Sequence, residues 1–296
     1  MLSCMHSVRR SCPICSKPKS ILVATGEISQ MKYEILKCKN CKHQYSFPIP
    51  KQNDLDYWYS LGSYLVLGNG AQENYSDPNV STSSTHWVVS DLNEVTPAAL
   101  LEIGPGNGSL LRALRKLGWN CWGVDPGNYI SEKQIVRSLQ ELPKGVCFDV
   151  VVFQNVLEHI ADPLDYIEKV SNLTTKKSIL YISTPYSQSL EARLLKGRWE
   201  MAKPFGHLHY FSKDSIRTIL QKVNFEIFNC VVMSYSPRKK VLFKGVLRKI
   251  HSFPFQFKHR GILRNPYKEH WYKLFENIIW LFSAGDQLYT KARRSS

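Results

Sequence analysis

The 296-residue chain reads as an α/β protein: a doubly wound, mostly parallel sheet preceded by a small cysteine-rich ribbon. Three observations predict this. Between residues 98 and 233, short runs that are apolar at nearly every position alternate with segments of helical periodicity, the pattern of a parallel sheet covered on both faces. One strand-to-helix junction, LLEIGPGNGSLL at residues 100–111, holds three glycines inside five positions. Two C-x2-C pairs, Cys12/Cys15 and Cys38/Cys41, precede all of it.

Each cysteine pair puts two thiolates on a tight turn, so four sulfurs can close a tetrahedron around zinc and leave no open coordination position. One pair alone would leave a redox dithiol or a disulfide open; two pairs, 22 residues apart, select a structural metal site. ILVATGEI (21–28) and KYEILKC (32–38) supply the short strands of a zinc ribbon, assigned to residues 1–52. His43, close behind the second pair, is read as a solvated turn residue. Cys121, Cys147 and Cys230 occur singly in apolar surroundings and are read as small core residues.

The main domain is assigned to residues 53–296. Its approach, Pro50 to Thr96, is rich in Asn, Ser, Gly and aromatic residues, with one helix over STHWVVSDLNEV. The regular alternation follows: strand AALLEIG, helix GSLLRALRKLG, strand NCWGVD, strand FDVVVFQNV, helix DPLDYIEKVSNL, strand SILYIST, helix KDSIRTILQKVN with Ser212 as its cap, and strand FEIFNCVVM. In such sheets ligands bind beyond the carboxyl ends of the strands. At the glycine-rich junction, Gly104, Gly106 and Gly108 have no side chain, so a ligand can lie against backbone N–H groups. The missing Lys-Ser/Thr excludes a phosphate loop, and G-P-G-N-G is not the dinucleotide spacing G-x-G-x-x-G. Glu102 before the turn and Asp125 at the end of the next strand remain; a carboxylate at the second position suits the paired hydroxyls of a ribose.

Composition sets bounds on function. An apolar content of 43% supports a sizeable core and argues against disorder. MLSCMHSVRR lacks the apolar stretch of a signal peptide and IIWLF is too short to span a bilayer, so the expected compartment is the cytoplasm. The net charge of +15 is unevenly spread: residues 1–51 carry nine Lys/Arg against two Glu, residues 238–268 carry ten and no acid, and residues 52–237 carry sixteen against nineteen acids. That distribution argues for docking by the flanks rather than for a basic catalytic cleft.

At LLEIGPGNG, WGVDP and FDVVVFQNVLEHIADP the chain resembles the class I S-adenosylmethionine-dependent methyltransferases, over about residues 85–235. The resemblance implies a Rossmann-like sheet of seven strands whose last, antiparallel member is GDQLYTKARR. It places Glu102 and the glycine turn at the methionine end of the cofactor, Asp125 at the ribose, Ser138 and Leu139 at the adenine, and Gln154 and Asn155 beside the sulfonium. One departure is the short interval between Asp125 and Phe148-Asp149, which leaves QIVRSLQELP room for a short third strand and a turn in place of a helix.

Methyl transfer is an in-line displacement at an activated carbon, so a base is required only when the acceptor retains its proton. The catalytic candidates are His159 in LEH, His207 in FGHLHYFS, a loop expected to overhang the pocket with His207 and His209 on one side, and Tyr186 after ISTP. A magnesium site resembling the Glu-x-x-Glu-His plus later His of some small-RNA 2′-O-methyltransferases is not read from Asn155-x-x-Glu158-His159 with His207 or His209 downstream: Asn155 occupies the place of the first carboxylate and magnesium takes oxygen ligands, so Glu158 is assigned a structural role. The residues from 237 to 284 form a basic, aromatic insertion between the last two strands, read as a sheet-edge excursion or as a patch for the inner face of a membrane. The expected function is methylation of a hydroxyl on a small-molecule, sugar or glycan acceptor. RNA methylation, with the ribbon and insertion docking nucleic acid, is the alternative; a non-catalytic binding module is the third reading.

Overall fold

A computed structural model describes residues 11–28, 31–60, 83–127, 132–233 and 285–295. The basic insertion assigned to 237–284 lies outside the described residues, as does the stretch from 61 to 82.

The described elements run β1 (Ser20–Ile28), β2 (Met31–Cys38), β3 (Gln44–Phe47), α1 (Gln52–Ser60), α2 (Ser83–Leu92), β4 (Ala99–Ile103), α3 (Ser109–Lys116), β5 (Asn120–Val124), β6 (Ile135–Val136), β7 (Phe148–Gln154), α4 (Pro163–Ser171), β8 (Thr174–Pro185), α5 (Leu190–Leu195), β9 (His209–Tyr210), α6 (Lys213–Lys222), β10 (Phe225–Met233) and β11 (Gln287–Arg294). A seven-stranded sheet has the order β10-β11-β8-β7-β4-β5-β6. Strands β8, β7, β4, β5 and β6 are parallel neighbours; β11 enters antiparallel between β8 and β10, as expected for GDQLYTKARR. The third strand is cut to the two residues of β6, followed by a single 3-10 turn at Leu139–Glu141.

Alternation along the central strands feeds two cores. Val150 and Val152 of β7, with Leu100 and Cys121, pack against Leu110, Leu111 and Leu114 of α3 and Val88 and Leu92 of α2. Val151 and Phe153, with Leu101 and Ile103, belong to a second cluster together with Ile167 and Val170 of α4 and Ile216, Ile219 and Leu220 of α6. A strand buried on both faces has no polar side to show, which is why β7 reads as a continuous apolar run. Each such side chain contributes roughly 1.5–3 kcal/mol on burial. Of the three single cysteines, Cys121 is buried and Cys230 half-buried, but Cys147 is exposed on the turn entering β7, contrary to its reading as a core residue.

The ribbon is not an appendage. Its sheet has four strands in the order β1-β2-β3-β9, and β9 comes from the loop at 205–212 that the sequence predicts to overhang the pocket. Ile14, Leu36 and Tyr45 belong to the same apolar cluster as Phe153 and Ile216. His43 is fully buried rather than solvated, because this junction covers it: its ring packs against both His209 and Phe211, with centroids 5.2 and 5.0 Å away. Two-residue strands carry too little periodicity to be legible in advance. Among the described residues, no helix is long and apolar enough to cross a membrane.

Helix α6 shows how local chemistry sets a boundary. Ser212 Oγ accepts from Ser215 N at 3.1 Å, and Ser215 Oγ accepts from Ser212 N at 2.8 Å, a reciprocal cap in a fully buried setting. Ser212→Ala should lower stability by about 1–2 kcal/mol in urea denaturation. A change within the error of the measurement would show that the cap does not hold the helix start.

Candidate functional site

Strands β4, β5 and β7 end side by side, and the chain leaving them lines a cavity of about 620 Å³. Gly104 and Gly106 come from the first junction, Asp125 and Pro126 from the second, and Gln154, Asn155 and Val156 from the third. The site lies at the carboxyl ends of the parallel strands, where the winding of the sheet reverses.

Gly104, Gly106 and Gly108 have φ of 67°, 53° and 70°, the left-handed region that side chains disfavour. At Gly104 a Cβ would also meet Val156 Cγ2 at 2.5 Å. The three N–H groups, expected to face a ligand, are engaged within the protein: Gly104 donates to Val124 O, Gly106 to Asp125 Oδ2 and Gly108 to Pro105 O, at 2.8, 3.0 and 2.8 Å. The glycines are therefore required by the shape of the turn itself. Gly108 caps α3 and, unlike the other two, does not line the cavity.

Asp125 is fixed at both oxygens, Oδ2 by Gly106 N and Oδ1 by Gly127 N at 2.8 Å, and it lines the cavity. Each oxygen retains a lone pair for a ligand hydroxyl. Burial raises its pKa, which the two amide hydrogen bonds and the charge of Arg137 oppose. Ser138 and Leu139 also line the cavity, and the Ser138 hydroxyl donates to Glu141 Oε1 at 2.9 Å. Glu102, expected to face the ligand, instead stands behind the wall: it is 3% exposed, and Oε1 accepts from Gln154 Nε2 at 3.2 Å. Gln154 is the residue that reaches the cavity. Asn155 has φ of 52°, which turns the chain sharply out of β7, and its buried Oδ1 has no partner among the described residues.

Of the three catalytic candidates, only His159 lines the cavity. Its Nδ1 lies 2.7 Å from Gly206 O, and burial lowers its pKa to about 4, assisted by Lys203 and opposed by the carbonyls of Gly206 and Asn155. His207 is buried behind it, ring centroids 4.8 Å apart, with Nδ1 2.8 Å from Met201 O. Burial and its histidine neighbour lower His207 to about 3. His207 and His209 thus face neither the cavity nor solvent; His209 turns to the ribbon. Tyr186 is 6% exposed, lies outside the cavity lining and donates to Gln188 Oε1 at 3.2 Å.

The far wall is one that the sequence reading missed. Gln52, Asp56 and Tyr59 of α1 line it, with Lys51 and Asn53. Gln52 ties the helix down: Oε1 accepts from Ala161 N at 2.9 Å and Nε2 donates to Asp56 Oδ1 at 2.8 Å. Positions 52, 56 and 59 follow helical spacing, and that periodicity was the available signal.

A second cluster lies in the ribbon. Cys12, Cys15, Cys38 and Cys41 are free thiols whose sulfurs all lie within 4.8 Å of one another, with Cys12–Cys41 and Cys15–Cys38 contacts of 3.5 Å. The shared hydrogen bond holds the Cys41 thiol down, to about 5, and the Cys12 thiol up. A cation that replaces the protons would relieve this competition.

Residues 89–229 match the family described as Methyltransferase domain. The ubiquinone biosynthesis O-methyltransferase of Colwellia psychrerythraea is 31% identical across 32% of this chain and 45% of that protein, so the chain spans less than half the length of this relative. The crystal structure of 1,6-didemethyltoxoflavin-N1-methyltransferase from Burkholderia thailandensis, with 1,6-didemethyltoxoflavin and S-adenosylhomocysteine bound, is similar in fold. Its TM-score is 0.50 and its identity 12%, over 92% of this chain and 99% of its own. An S-adenosylmethionine-dependent methyltransferase from Archaeoglobus fulgidus matches at TM-score 0.44 and 17% identity, over 71% and 94% of the two chains.

Burial raises Glu102 to about 8 from an ordinary 4.5, with the charge of Asp125 adding to it and Gln154 and Arg115 opposing. The folded chain holds this proton more tightly than the unfolded chain. The associated stability is therefore full below about pH 4.5 and is lost as pH rises towards 8, by at most ~1.4 kcal/mol per pH unit. Relative to the native chain, Glu102→Gln should gain stability progressively across that window in urea denaturation. A difference independent of pH would show that Glu102 is charged in the folded chain.

Proposed function

We propose that this chain, whose residues 89–229 form a class I S-adenosylmethionine-dependent methyltransferase domain, methylates a hydroxyl of a sugar, glycan or related small molecule and carries a structural zinc in its ribbon. The observation that carries the proposal is the cavity at the ends of β4, β5 and β7, bounded on one side by Asp125 and Asn155 and on the other by the polar face of α1.

The residues present fit the cofactor. Asp125 offers two pre-oriented acceptor oxygens for the ribose hydroxyls. The Oδ1 of Asn155, which has no partner among the described residues, and the carboxamide of Gln154, backed by Glu102, offer polar groups at the end of β7. Ser138 and Leu139 bound the adenine side. When bound, S-adenosylmethionine supplies a methyl carbon already activated by a sulfonium. The chain's own contribution is then to hold an acceptor oxygen in line with that carbon and to exclude water. Lys51, Gln52, Asn53 and Asp56 supply donors and acceptors suited to a hydroxyl-rich acceptor. The name of the Colwellia relative, an O-methyltransferase, is consistent with an oxygen acceptor.

Four free thiols at mutual contact suit a tetrahedral zinc, which would close the ribbon without entering the chemistry. The ribbon (1–52) and the main domain (53–296) are proposed to work as one unit, because β9 completes the ribbon sheet. The charge of residues 238–268 supports a cytoplasmic protein that meets the inner face of a membrane peripherally.

Two outcomes test the proposal. Asp125→Ala should weaken S-adenosylmethionine binding by roughly 1.5–3 kcal/mol in calorimetry, the scale of hydrogen bonds to a charged group; unchanged affinity would remove Asp125 from the site. The double variant Cys38→Ser, Cys41→Ser should lose about one zinc per chain by mass spectrometry of the metal, since two thiolates cannot fill four positions. Retention of that zinc would place it elsewhere.

A further inference from the structure

The loop after β7 and the segment before β9 meet at a group of side chains that the proposed methyl transfer does not use. Glu158, His159 and His207 each offer a potential ligand atom, and these atoms all lie within 4.8 Å of one another. All three side chains are buried, at 0%, 8% and 8% exposure. Their backbone is held at the same junction, where Leu208 N donates to Glu158 O at 2.8 Å.

Their hydrogen bonds orient them as ligands. Gly206 O and Met201 O can only accept, so the imidazole protons of His159 and His207 sit on Nδ1 and the lone pairs on Nε2. A backbone carbonyl fixing the tautomer from behind is the arrangement that supports metal-binding histidines. Glu158 is held in the same way: Oε2 accepts from Thr184 Oγ1 at 3.2 Å, while Oε1 is buried without a partner among the described residues. Lone-pair groups at this separation repel one another unless a proton or a cation lies between them.

From this geometry we propose that Glu158, His159 and His207 form a second metal site, separate from the four cysteines, for a divalent transition ion of the zinc, manganese and cobalt type. Two nitrogens and one oxygen set that preference, since magnesium takes oxygen ligands. The structural role first read for Glu158 rested on a missing carboxylate at Asn155, which is a shortage only for magnesium. His159 is the ligand that lines the cavity, so the ion would enter from that side and keep an open position towards an acceptor. This last consequence rests on the methyltransferase reading; the site itself does not.

The test reads binding, not activity. The full chain, with its cysteine site loaded with zinc, is titrated with cobalt(II) by calorimetry and with manganese(II) by loss of the free-ion electron paramagnetic resonance signal. The expected result is one additional ion per chain in each titration. Affinity should fall by at least about tenfold in Glu158→Gln and in His207→Asn, and magnesium at matched concentration should not compete. Circular dichroism and retained ribbon zinc identify variants that still fold. The native chain decides independently of them: no ion beyond the one on the cysteines, unchanged affinity in a folded variant, or equal competition by magnesium would overturn the proposal.

Discussion

The short pairing of β3 with β9, Gln44 against Tyr210 and Tyr45 against His209, is the contact on which much of the molecule depends. It brings a segment from beyond α5 to the edge of the ribbon and buries His43 against His209 as it does so. His209 Nε2 lies 3.3 Å from Ala161 O, so its proton belongs there, and its Nδ1 accepts from His43 Nε2 at 3.1 Å. Burial, with the neighbouring imidazole, holds His43 well below its ordinary pKa, and burial holds His209 at about 4, so the pair packs as neutral rings. The far end of this relay, Ala161, is a wall of the cavity, and Ala161 N in turn donates to Gln52 Oε1. Ribbon, cavity floor and cavity wall are thus joined by four hydrogen-bonding groups in series.

The cavity itself follows from a different constraint. Strands buried on both faces carry few polar side chains along their length, so polar groups concentrate where β4, β5 and β7 release the chain. The amides of the glycine turn are used to build the turn, and Asp125 takes one of them. Recognition is therefore left to side-chain oxygens: Asp125 with its remaining lone pairs, Gln154 held by Glu102, and Asn155 turned out of the strand. Glu102 matters through what it holds rather than through what it touches, and its burial beside Asp125 explains why its proton is retained.

Two clusters of potential metal ligands occur among the described residues, one of four thiols and one of a carboxyl with two imidazoles. The carboxyl and imidazoles are buried, as are the thiols except for half-buried Cys15, and both clusters are oriented by backbone groups: Asn40 N donates to Cys38 Sγ at 3.4 Å, and carbonyls fix the imidazoles. Tyr45 and Ile14 share a core with Phe153, on the strand that carries the cavity, and with Ile216.

Local rules were sufficient for much of this. Continuous apolar runs marked β4, β5, β7 and β8, helical spacing marked α3 and α6, and Ser212 marked where α6 begins, because periodicity and caps act within one or two turns of chain. The cysteine spacing was legible for the same reason, as were Gly104, Gly106 and Asp125, which lie where β4 and β5 end; Ser138, Leu139, Gln154 and Asn155 were placed at the cavity by the family resemblance rather than by local rules. The tertiary structure decided what depends on partners distant in sequence. Glu102 withdrew behind Gln154, His43 was buried by a strand 166 residues away, and α1 closed the cavity. It also gathered Glu158, His159 and His207. No local propensity encodes such meetings, because their free energy comes from burial and hydrogen bonds that exist only once the sheet has brought the segments together.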